Sequence, residues 1–296
     1  MTATPPARPN IVLVLADDLG WSDLGAYGSE IRTPNLDRLA QNGLRFTQMY
    51  NAARCCPTRA ALLTGLYPHQ AGIGHMVVDM GRPAYQGYLN DRCVTLAEVL
   101  RRAGYRTLMT GKWHVGGEQA NLPADWYPNM PGYPTPRGRG FDRFYGILSG
   151  GGSYYNPNML LDDDTRICVD ALDYHFTDAI SAKAAQFVDD AAHRDQPFFL
   201  YLAYTAPHWP LHARPEDIER YRGNYIRGWD ALRTQRQQRP FSPLQALHPR
   251  GRHFHALHRP LAQGHAPGRH RPRARPRRRC HAHSCGIGRC DLSFDL

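Results

Sequence analysis

This sequence of 296 residues has no apolar run long enough to cross a bilayer and no recognisable export signal. A membrane-spanning helix needs roughly 18 or more apolar residues, whereas the stretch IVLVLA, from Ile11, ends directly at two aspartates. The first residues, MTATPPARPN, lack the basic segment, apolar core and small-residue cleavage site of a secretory signal. We therefore expect a cytoplasmic protein with no membrane partner.

Cysteine is too irregularly spaced to form a disulfide scaffold. The chain has 7 cysteines, an odd number, with no repeated spacing. Disulfide-rich folds pair their cysteines and belong to oxidising compartments. The cysteine content therefore indicates a reducing compartment and a fold held by a hydrophobic core, for which the hydrophobic content of 42% is sufficient.

Residues 237–296 contain no lysine and only two acidic residues, Asp291 and Asp295, against 12 arginines. They account for the whole net charge of +10, because residues 1–236 hold 24 basic and 24 acidic residues. The composition thus divides the chain into an N-terminal part, 1–236, and an Arg/His/Pro-rich tail, 237–296, for which we predict disorder.

Three interpretations of this tail stay open. It is a basic arm that binds nucleic acid, a metal-binding tract in CHAHSCGIGRC, or a G+C-rich gene segment translated out of frame. We favour the third, because arginine without lysine, amid proline, histidine, alanine and glycine, is what such a reading frame yields. On that interpretation we expect no nucleic acid partner.

Strand and helix patterns alternate along the N-terminal part. Continuous apolar runs predict buried parallel strands at 10–18, 105–111 and 197–205. Capping residues and helical periodicity predict helices at 34–42, 57–64, 95–104 and 177–192. Residues 116–160, rich in Gly, Pro, Tyr and Asn, are predicted to form long loops at one edge of the sheet. This alternation predicts an α/β sandwich around a mostly parallel sheet.

Charged and titratable side chains follow the three predicted strands, where ligands of open α/β sheets bind. They are Asp17, Asp18, Lys112, His114 and His208. Taken singly, each has an ordinary explanation as a turn, cap, loop or packed residue. Together they indicate a divalent cation that faces an anionic substrate, since hard cations prefer carboxylate oxygens.

The segment RCCPTRAALLTG, Arg54 to Gly65, places a thiol just before a predicted helix. Pro57 suits the first helical turn and Gly65 the end. The unpaired N–H groups of a helix N-terminus attract anions, and Arg59 offers a forked set of donors to an oxyanion. These residues leave two alternatives: a Cys55 nucleophile that handles an anion, or a low-pKa thiol or buried pair formed by Cys55 and Cys56.

An ordered series of motifs resembles that of the type I sulfatases, in the alkaline-phosphatase-like superfamily. The Cys-x-Pro-x-Arg segment at 55–59 is followed by AALLTG. In the family's order, the chain also holds PNIVLVLADDLGWSDLGAYG, TPNLDRLAQNGLRFTQMY, GKWHVG, GFDRFYG, YHFTDAI and APHWPLHA. The resemblance covers residues 8 to about 236. It implies an alkaline-phosphatase-like sandwich, incomplete at its C-terminal end, and an arylsulfatase-type hydrolase of sulfate esters.

The resemblance also implies a modified residue and a metal. Cys55 would be oxidised by a maturation enzyme to formylglycine, an aldehyde whose gem-diol takes the sulfuryl group and then expels sulfate. Asp17, Asp18 and the modified residue 55 would bind a divalent cation, Ca²⁺ in most relatives. This cation would orient the diol and neutralise sulfate oxygens.

The remaining candidates receive roles in the same way. Lys112 and His208 would contact the sulfate group and assist the leaving oxygen. Arg59 would hold the formylglycine oxyanion, and His114 would act as a general base. The substrate would be a small-molecule or glycan sulfate ester. A phosphonate or phosphate ester is the alternative, since some relatives with this nucleophile motif take those substrates.

The sequence departs from the family after His208, where it contains no Asp-Asn pair and no lysine. Relatives complete the metal site with such a pair and bring a further lysine to the sulfate. Because cation affinity follows the number and charge of the ligands, we expect weak Ca²⁺ binding and much lower activity than in a complete relative. Outside enzymes, the alternative is an inactive fragment that binds nucleic acid through its basic tail.

Overall fold

The computed structural model describes residues 8–117, 122–169 and 171–238. All of these lie in the first of two units of the chain, Met1–Leu247. The second unit, His248–Leu296, lies outside the described residues, and so does nearly all of the predicted tail. The prediction of tail disorder therefore stays a prediction.

Strands and α-helices alternate along most of the described chain. The strands are β1 (Ile11–Asp17), β2 (Arg106–Lys112), β3 (Arg143–Ile147), β4 (Leu160–Asp162), β5 (Thr165–Arg166) and β6 (Phe198–Pro207). The α-helices are α1 (Pro34–Asn42), α2 (Cys55–Thr64), α3 (Leu96–Arg102), α4 (Phe176–Ala192), α5 (Pro215–Arg220) and α6 (Gly228–Gln238). Short 3₁₀ helices lie at Trp21–Asp23, Gly25–Tyr27 and Arg137–Arg139.

The strands form one mixed sheet in the order β1-β6-β2-β3-β4-β5. Neighbouring strands run parallel from β1 through β6 and β2 to β3, and β4 and β5 add an antiparallel extension. The predicted α/β fold with a mostly parallel sheet is confirmed. Because β6 lies between β1 and β2, the carboxyl ends of all three strands meet at one edge, which we call the site end.

Helices cover both faces of the sheet, and consecutive strand residues point to opposite cores. Met109 and Phe199 pack in the core that contains α2 and α3, whereas Leu108 and Leu200 pack against α4 in the other. This alternation follows from the two-residue period of a strand. It explains why the central strands read as continuous apolar runs, since both of their faces are buried.

Helix α2 begins two residues earlier than the sequence pattern predicted. Cys55 is its first residue and Arg54 its N-cap, so the prediction that Cys55 lies before the helix is wrong. The cause is that Pro57 tolerates any position in the first turn, where no backbone N–H bonds within the helix. Gly65 ends the helix as predicted, with φ 70° and its N–H donating to the carbonyl of Ala61.

The other predicted helices form where the local signals placed them. Thr95 and Glu98 exchange hydrogen bonds in a capping box at the start of α3. Helix α4 buries the face that its periodicity indicated: Ile180, Ala184, Phe187 and Ala191. Pro34 opens α1 after Thr33.

Two predictions about the sheet need correction. Residues 116–160 are not only loops, because Arg143–Ile147 forms the parallel strand β3 and Leu160 begins β4. The glycine within Arg-Phe-Tyr-Gly-Ile weakened the strand signal, and pairing with β2 supplies what the local pattern lacked. Strand β1 is an edge strand of the described sheet, and Val12 and Val14 are 52% and 49% exposed, so it is not fully buried.

Three further findings bear on expectations drawn from the composition. The helix α6 runs to Gln238 and so crosses the predicted compositional boundary at 237. Of the cysteines that the structure describes, Cys55, Cys56, Cys93 and Cys168 are free thiols. Within the described ranges, no helix has both the length and the apolar character to span a bilayer.

Candidate active site

The centre of the site end is a buried group of one carboxylate, one ammonium and one guanidinium. The Lys112 ammonium donates a hydrogen bond to Asp17 Oδ2, and Arg59 Nη2 lies 3.3 Å from the same oxygen. The exposed fractions of Lys112, Arg59 and Asp17 are 0%, 1% and 6%. Three ionised groups so far from water require mutual compensation, and this set leaves one positive charge in excess.

Irregularities at the ends of the strands bring these groups together. The register between β1 and β6 shifts after Leu15, since Leu15 pairs with Ala203 but Asp17 pairs with Pro207. Such bulges re-aim side chains beside active sites. In β2, Gly111 precedes Lys112 with φ 104°, a backbone conformation in which a side chain would be strained.

Tyr201 supports Arg59 from the middle of β6, which the sequence analysis did not foresee. Arg59 Nη1 donates to the carbonyl oxygen of Lys112 at 2.8 Å and to the Tyr201 hydroxyl at 3.2 Å. Burial raises the pKa of Tyr201, so its hydroxyl is neutral and accepts. The available signal was a phenol in an otherwise apolar run, because a buried hydroxyl needs a partner.

Cys55, Cys56 and His114 form a second cluster at the start of α2. Their sulfur and Nε2 atoms all lie within 4.8 Å of one another. Cys56 Sγ is 3.3 Å from His114 Nε2 and 4.0 Å from Cys55 Sγ. Cys56 and His114 are buried, whereas Cys55 is partly exposed. His114 has φ 55°, an uncommon conformation for a residue other than glycine, and such strain concentrates at functional sites.

The two thiols have opposite pKa shifts. The hydrogen bond from Cys56 holds the pKa of the Cys55 thiol well below its usual range, and His114 and Lys112 act in the same direction against burial. The hydrogen bond to Cys55 and burial both raise the pKa of Cys56. Burial lowers the pKa of His114, which keeps its imidazole neutral.

Asp18 and His208 complete the site end. Asp18 has φ 60°, and its Oδ2 lies 3.8 Å from His208 Nε2. Tyr154 donates a hydrogen bond from its hydroxyl to the His208 carbonyl oxygen at 2.8 Å. Burial, with the charges of Asp17 and Asp18, raises the pKa of Tyr154 to about 12. The Tyr154 hydroxyl is therefore a neutral donor that holds the His208 loop in place. This contact was not predicted from the sequence.

The chemistry of the carboxylates fits a hard divalent cation. Asp17 already gathers two positive groups at one buried oxygen, so its position favours positive charge. Asp18 follows it directly and is largely exposed. Carboxylate oxygens suit Ca²⁺, which takes 6–8 oxygen ligands. Since Lys112 occupies Asp17 Oδ2, a cation at this oxygen would compete with the ammonium.

The structure thus brings the sequence-predicted residues to one end of the sheet. Asp17, Arg59 and Lys112 contact one another directly; Cys55 and His114 meet through Cys56; Asp18 faces His208. The roles that the resemblance implied for them stay predictions at this point. Tyr201, Tyr154 and Cys56 are additions that only the folded chain reveals.

Comparison with known proteins places these features in a family. The Sulfatase family model matches residues 9–273. The chain is 40% identical over 254 residues to an uncharacterized sulfatase of Schizosaccharomyces pombe, covering 78% of this chain and 43% of that protein. It is 36% identical over 248 residues to the arylsulfatase of Klebsiella aerogenes, covering 79% and 50%. The chain therefore spans about half the length of these curated relatives.

A solved structure agrees in both fold and sequence. Ps i-CgsB, crystallised with k-i-k-neocarrahexaose, superposes with a TM-score of 0.61 at 34% identity, over 77% of this chain and 51% of that one. The match of the family model to most of the chain and the agreement with a solved structure lead to one conclusion: this chain belongs to the sulfatase family.

Proposed function

We propose that this protein hydrolyses sulfate esters at the site end of its sheet. The observation that carries the proposal is the buried group of Arg59 and Lys112 around Asp17, whose excess positive charge is suited to an anion. Membership of the sulfatase family and similarity to an arylsulfatase support the same reaction. The proposed function therefore has two independent supports: the positive charge of the site and membership of the sulfatase family.

Arg59 and Lys112 would bind the sulfate group. Arg59 Nε has no hydrogen-bond partner among the described residues, although the side chain is almost fully buried, and Nη2 forms an ion pair with Asp17 at 3.3 Å without a hydrogen bond. Buried donors left without an acceptor are costly, so a ligand that supplies oxygens stabilises them. The forked guanidinium matches the oxygens of a tetrahedral anion, and Lys112 adds a point charge beside it.

Residue 55 would supply the nucleophile after conversion to formylglycine. The hydrated aldehyde offers one oxygen to accept the sulfuryl group and a second hydroxyl through which the ester is released. Cys55 is partly exposed at the first turn of α2, whereas Cys56 is fully buried, so accessibility favours modification of Cys55 by a maturation enzyme. The helix N-terminus beside residue 55 stabilises negative charge there.

His114 and His208 would handle protons on either side of the sulfate. Because burial keeps His114 neutral, its imidazole is able to accept a proton near residue 55. His208 faces the exposed Asp18 carboxylate at 3.8 Å and stands nearer to solvent, where an alcohol leaves. Its Nδ1 donates to the carbonyl oxygen of Trp209, so Nε2 would donate a hydrogen bond to the leaving oxygen in the imidazolium form.

Asp17 and Asp18 would hold the divalent cation, with Ca²⁺ as our choice because both donors are hard oxygens. The cation would neutralise charge on the sulfate oxygens and favour deprotonation of the nucleophile. Two carboxylates are few for an ion that takes 6–8 ligands, so we expect weak binding. Asp17 would then serve both the cation and the Lys112 ammonium, which donates to its Oδ2 and would contact the sulfate.

A sulfated carbohydrate is the substrate class that we propose. Ps i-CgsB was crystallised with k-i-k-neocarrahexaose, and the match covers 77% of this chain. An aryl sulfate is the practical probe, because one of the relatives is an arylsulfatase.

The test is to produce the full chain with a formylglycine-generating enzyme and to verify the conversion of residue 55 by mass spectrometry. We expect slow release of sulfate from an aryl sulfate, increasing with Ca²⁺ and absent from the matched Cys55→Ala variant. Aryl phosphonate and phosphate esters are assayed in parallel. A converted protein with no sulfate release above the Cys55→Ala level, or with faster phosphonate hydrolysis, would refute the proposal.

A further inference from the structure

Cys55, Cys56 and His114 form a cluster whose two thiols have no joint role in the proposed reaction. Conversion of Cys55 consumes one of its thiols, but the chain is synthesised with both. In that unconverted form, two sulfur atoms and one imidazole nitrogen converge within 4.8 Å at the start of α2. A buried thiol pair beside an imidazole is a set of soft donors, quite unlike the carboxylates of Asp17 and Asp18.

We propose that the unconverted chain binds a thiophilic metal ion such as Zn²⁺ through Cys55 Sγ, Cys56 Sγ and His114 Nε2. This site precedes and is independent of sulfate ester hydrolysis, because formylglycine at residue 55 removes one of its ligands. On binding, metal–sulfur bonds form to both cysteines, a metal–nitrogen bond forms to His114, and the thiol protons leave to solvent.

The distances match those of a tetrahedral zinc site. With Zn–S bonds of about 2.3 Å and Zn–N bonds of about 2.0 Å, two sulfur ligands lie about 3.8 Å apart and a sulfur and a nitrogen about 3.5 Å. The separation of Cys55 Sγ and Cys56 Sγ is 4.0 Å, and that of Cys56 Sγ and His114 Nε2 is 3.3 Å. These two separations lie within a few tenths of an ångström of the tetrahedral values, and Cys55 Sγ lies within 4.8 Å of His114 Nε2, so closure of this third pair would enclose the ion.

Met76 provides a second, independent sign of a soft site. Its thioether sulfur lies 3.8 Å from Cys56 Sγ, so a third sulfur adjoins the cluster. A thioether has little affinity for hard cations and suits soft ones. Met76 or a water molecule is therefore able to complete four-fold coordination.

The charges around the cluster affect its affinity for a metal ion. Lys112 acts electrostatically on both thiols and on His114, and Arg59 acts on Cys56 and His114, so these two cations oppose an added dication. Two thiolates offset this, because together they cancel the charge of the ion. His114 Nδ1 has no hydrogen-bond partner within the described ranges, and loss of such support typically weakens metal binding about 10–100-fold. We therefore expect a site of moderate affinity.

The test uses the full chain produced without a maturation enzyme. Cys168, Cys280, Cys285 and Cys290 are replaced by Ser in every sample, so that neither the exposed thiol nor the tail contributes sulfur. Co²⁺ serves as the probe, because its thiolate complexes absorb by charge transfer whereas complexes with histidine alone do not. We expect one Co²⁺ per chain with this absorption, displaced by Zn²⁺.

Variants then assign the ligands. Cys55→Ser and Cys56→Ser should each lower the charge-transfer intensity and weaken Co²⁺ binding at least about tenfold, since each removes one of the few ligands. Cys93→Ser is the matched control, because Cys93 is a buried thiol outside the cluster, and it should bind Co²⁺ like the parent. Circular dichroism verifies that each variant is folded.

A second measurement needs no substitution within the cluster. Zn²⁺ should slow alkylation of Cys55 by iodoacetamide at least about tenfold in the unconverted chain, because metal-bound sulfur is a poor nucleophile. Absence of thiolate charge transfer in the folded protein, or undiminished charge transfer in folded Cys56→Ser, would overturn the proposal. Alkylation of Cys55 at the same rate with and without Zn²⁺ would do so as well.

Discussion

Lys112 donates a hydrogen bond to Asp17 across the intervening strand β6, and both side chains are buried. Asp17 ends one edge strand and Lys112 ends a central strand, so this bond joins the two sides of the site end. Arg59 approaches the same carboxylate oxygen from α2. A single anion thus organises both cations that we expect to meet the sulfate.

The first prediction concerns Lys112→Ala in the converted protein. Loss of the ammonium removes one preorganised positive contact to the sulfate, which typically lowers the rate about 10²–10³-fold. It also leaves Asp17 buried with Arg59 alone, and breaking a buried ion pair typically lowers the free energy of unfolding by about 3 kcal/mol. Aryl sulfate hydrolysis and urea unfolding measure the two effects.

Lys183→Ala is the control for this substitution. Lys183 is the other lysine of the sequence and pairs with Asp162 at 3.1 Å, away from the site end. The pair is half-buried and lies outside the candidate active site, so removal of Lys183 should leave the rate unchanged. Equal losses of activity in the two variants would contradict a specific role for Lys112.

Tyr201→Phe tests the support of Arg59. The substitution removes the hydroxyl that accepts from Arg59 Nη1 and leaves the ring in the core, so stability should fall by about 1 kcal/mol. Because the guanidinium loses one of two partners that orient Nη1, we expect kcat to fall as well. Steady-state kinetics and thermal unfolding check both.

Tyr145→Phe is matched to it, since the Tyr145 hydroxyl pairs with that of Tyr174 at 3.1 Å on the opposite face of the sheet. It should lower stability by a similar amount and leave kcat unchanged. If Tyr145→Phe impaired kcat as much as Tyr201→Phe, the effect would be one of stability alone.

Gly111→Ala should be among the more destabilising substitutions in β2. A Cβ at this position would lie 1.9 Å from the carbonyl oxygen of Ala203, and φ is 104°. Backbone strain and overpacking together should lower the free energy of unfolding by about 3 kcal/mol or more. Gly65→Ala separates the two causes, because φ is 70° but no atom lies within 4 Å of its added Cβ. Gly65→Ala should lower the free energy of unfolding by only about 1 kcal/mol. Urea unfolding measures both variants, and similar losses of stability would mean that the clash at residue 111 relaxes.

The reactivity of unconverted Cys55 should persist at acidic pH. Its lowered pKa means that the thiolate, the nucleophilic form, stays populated as the pH falls below that of an ordinary thiol. Alkylation of the folded chain by iodoacetamide, in buffer with a chelator, should change little between about pH 8 and pH 6. A synthetic peptide of residues 54–59 should slow about tenfold per pH unit, since an unperturbed thiol has a pKa of about 8.5.

Mass spectrometry of the tryptic peptide locates the label on Cys55 or Cys56. Parallel pH profiles for the folded chain and the peptide would contradict the lowered pKa. Preferential labelling of Cys56 would contradict the burial that distinguishes the two thiols.

Most of the helices and strands follow from local signals along the chain. The capping box of Thr95 and Glu98, the proline that opens α1 and the apolar face of α4 act within a few residues, so they are legible without the fold. The same is true of the residues that follow each strand. Parallel strands bring their carboxyl ends to one edge, so the candidate site could be assembled from sequence order.

Strand β3 and the true position of β1 could not be predicted in this way. The segment Arg143–Ile147 is short and interrupted by glycine, and only hydrogen bonding to β2 makes it a strand. Whether an apolar strand is central or at an edge depends on which strands pair with it. The residue types of Val12 and Val14 do not indicate that β1 lies at an edge, where both are about half exposed. Strand order is a property of long-range pairing, which no local pattern encodes.

The sequence by itself determined the chemistry available to this protein: a thiol at a helix start, adjacent carboxylates, an arginine, a lysine and two histidines at strand ends. Only the tertiary structure decided that Asp17 binds both Lys112 and Arg59, that Tyr201 supports Arg59, and that Cys56 lies against His114. The physical reason is that residue types and their order follow from the chain. Contacts between side chains far apart in sequence depend instead on register, bulges and burial, which arise when the sheet and its helices pack.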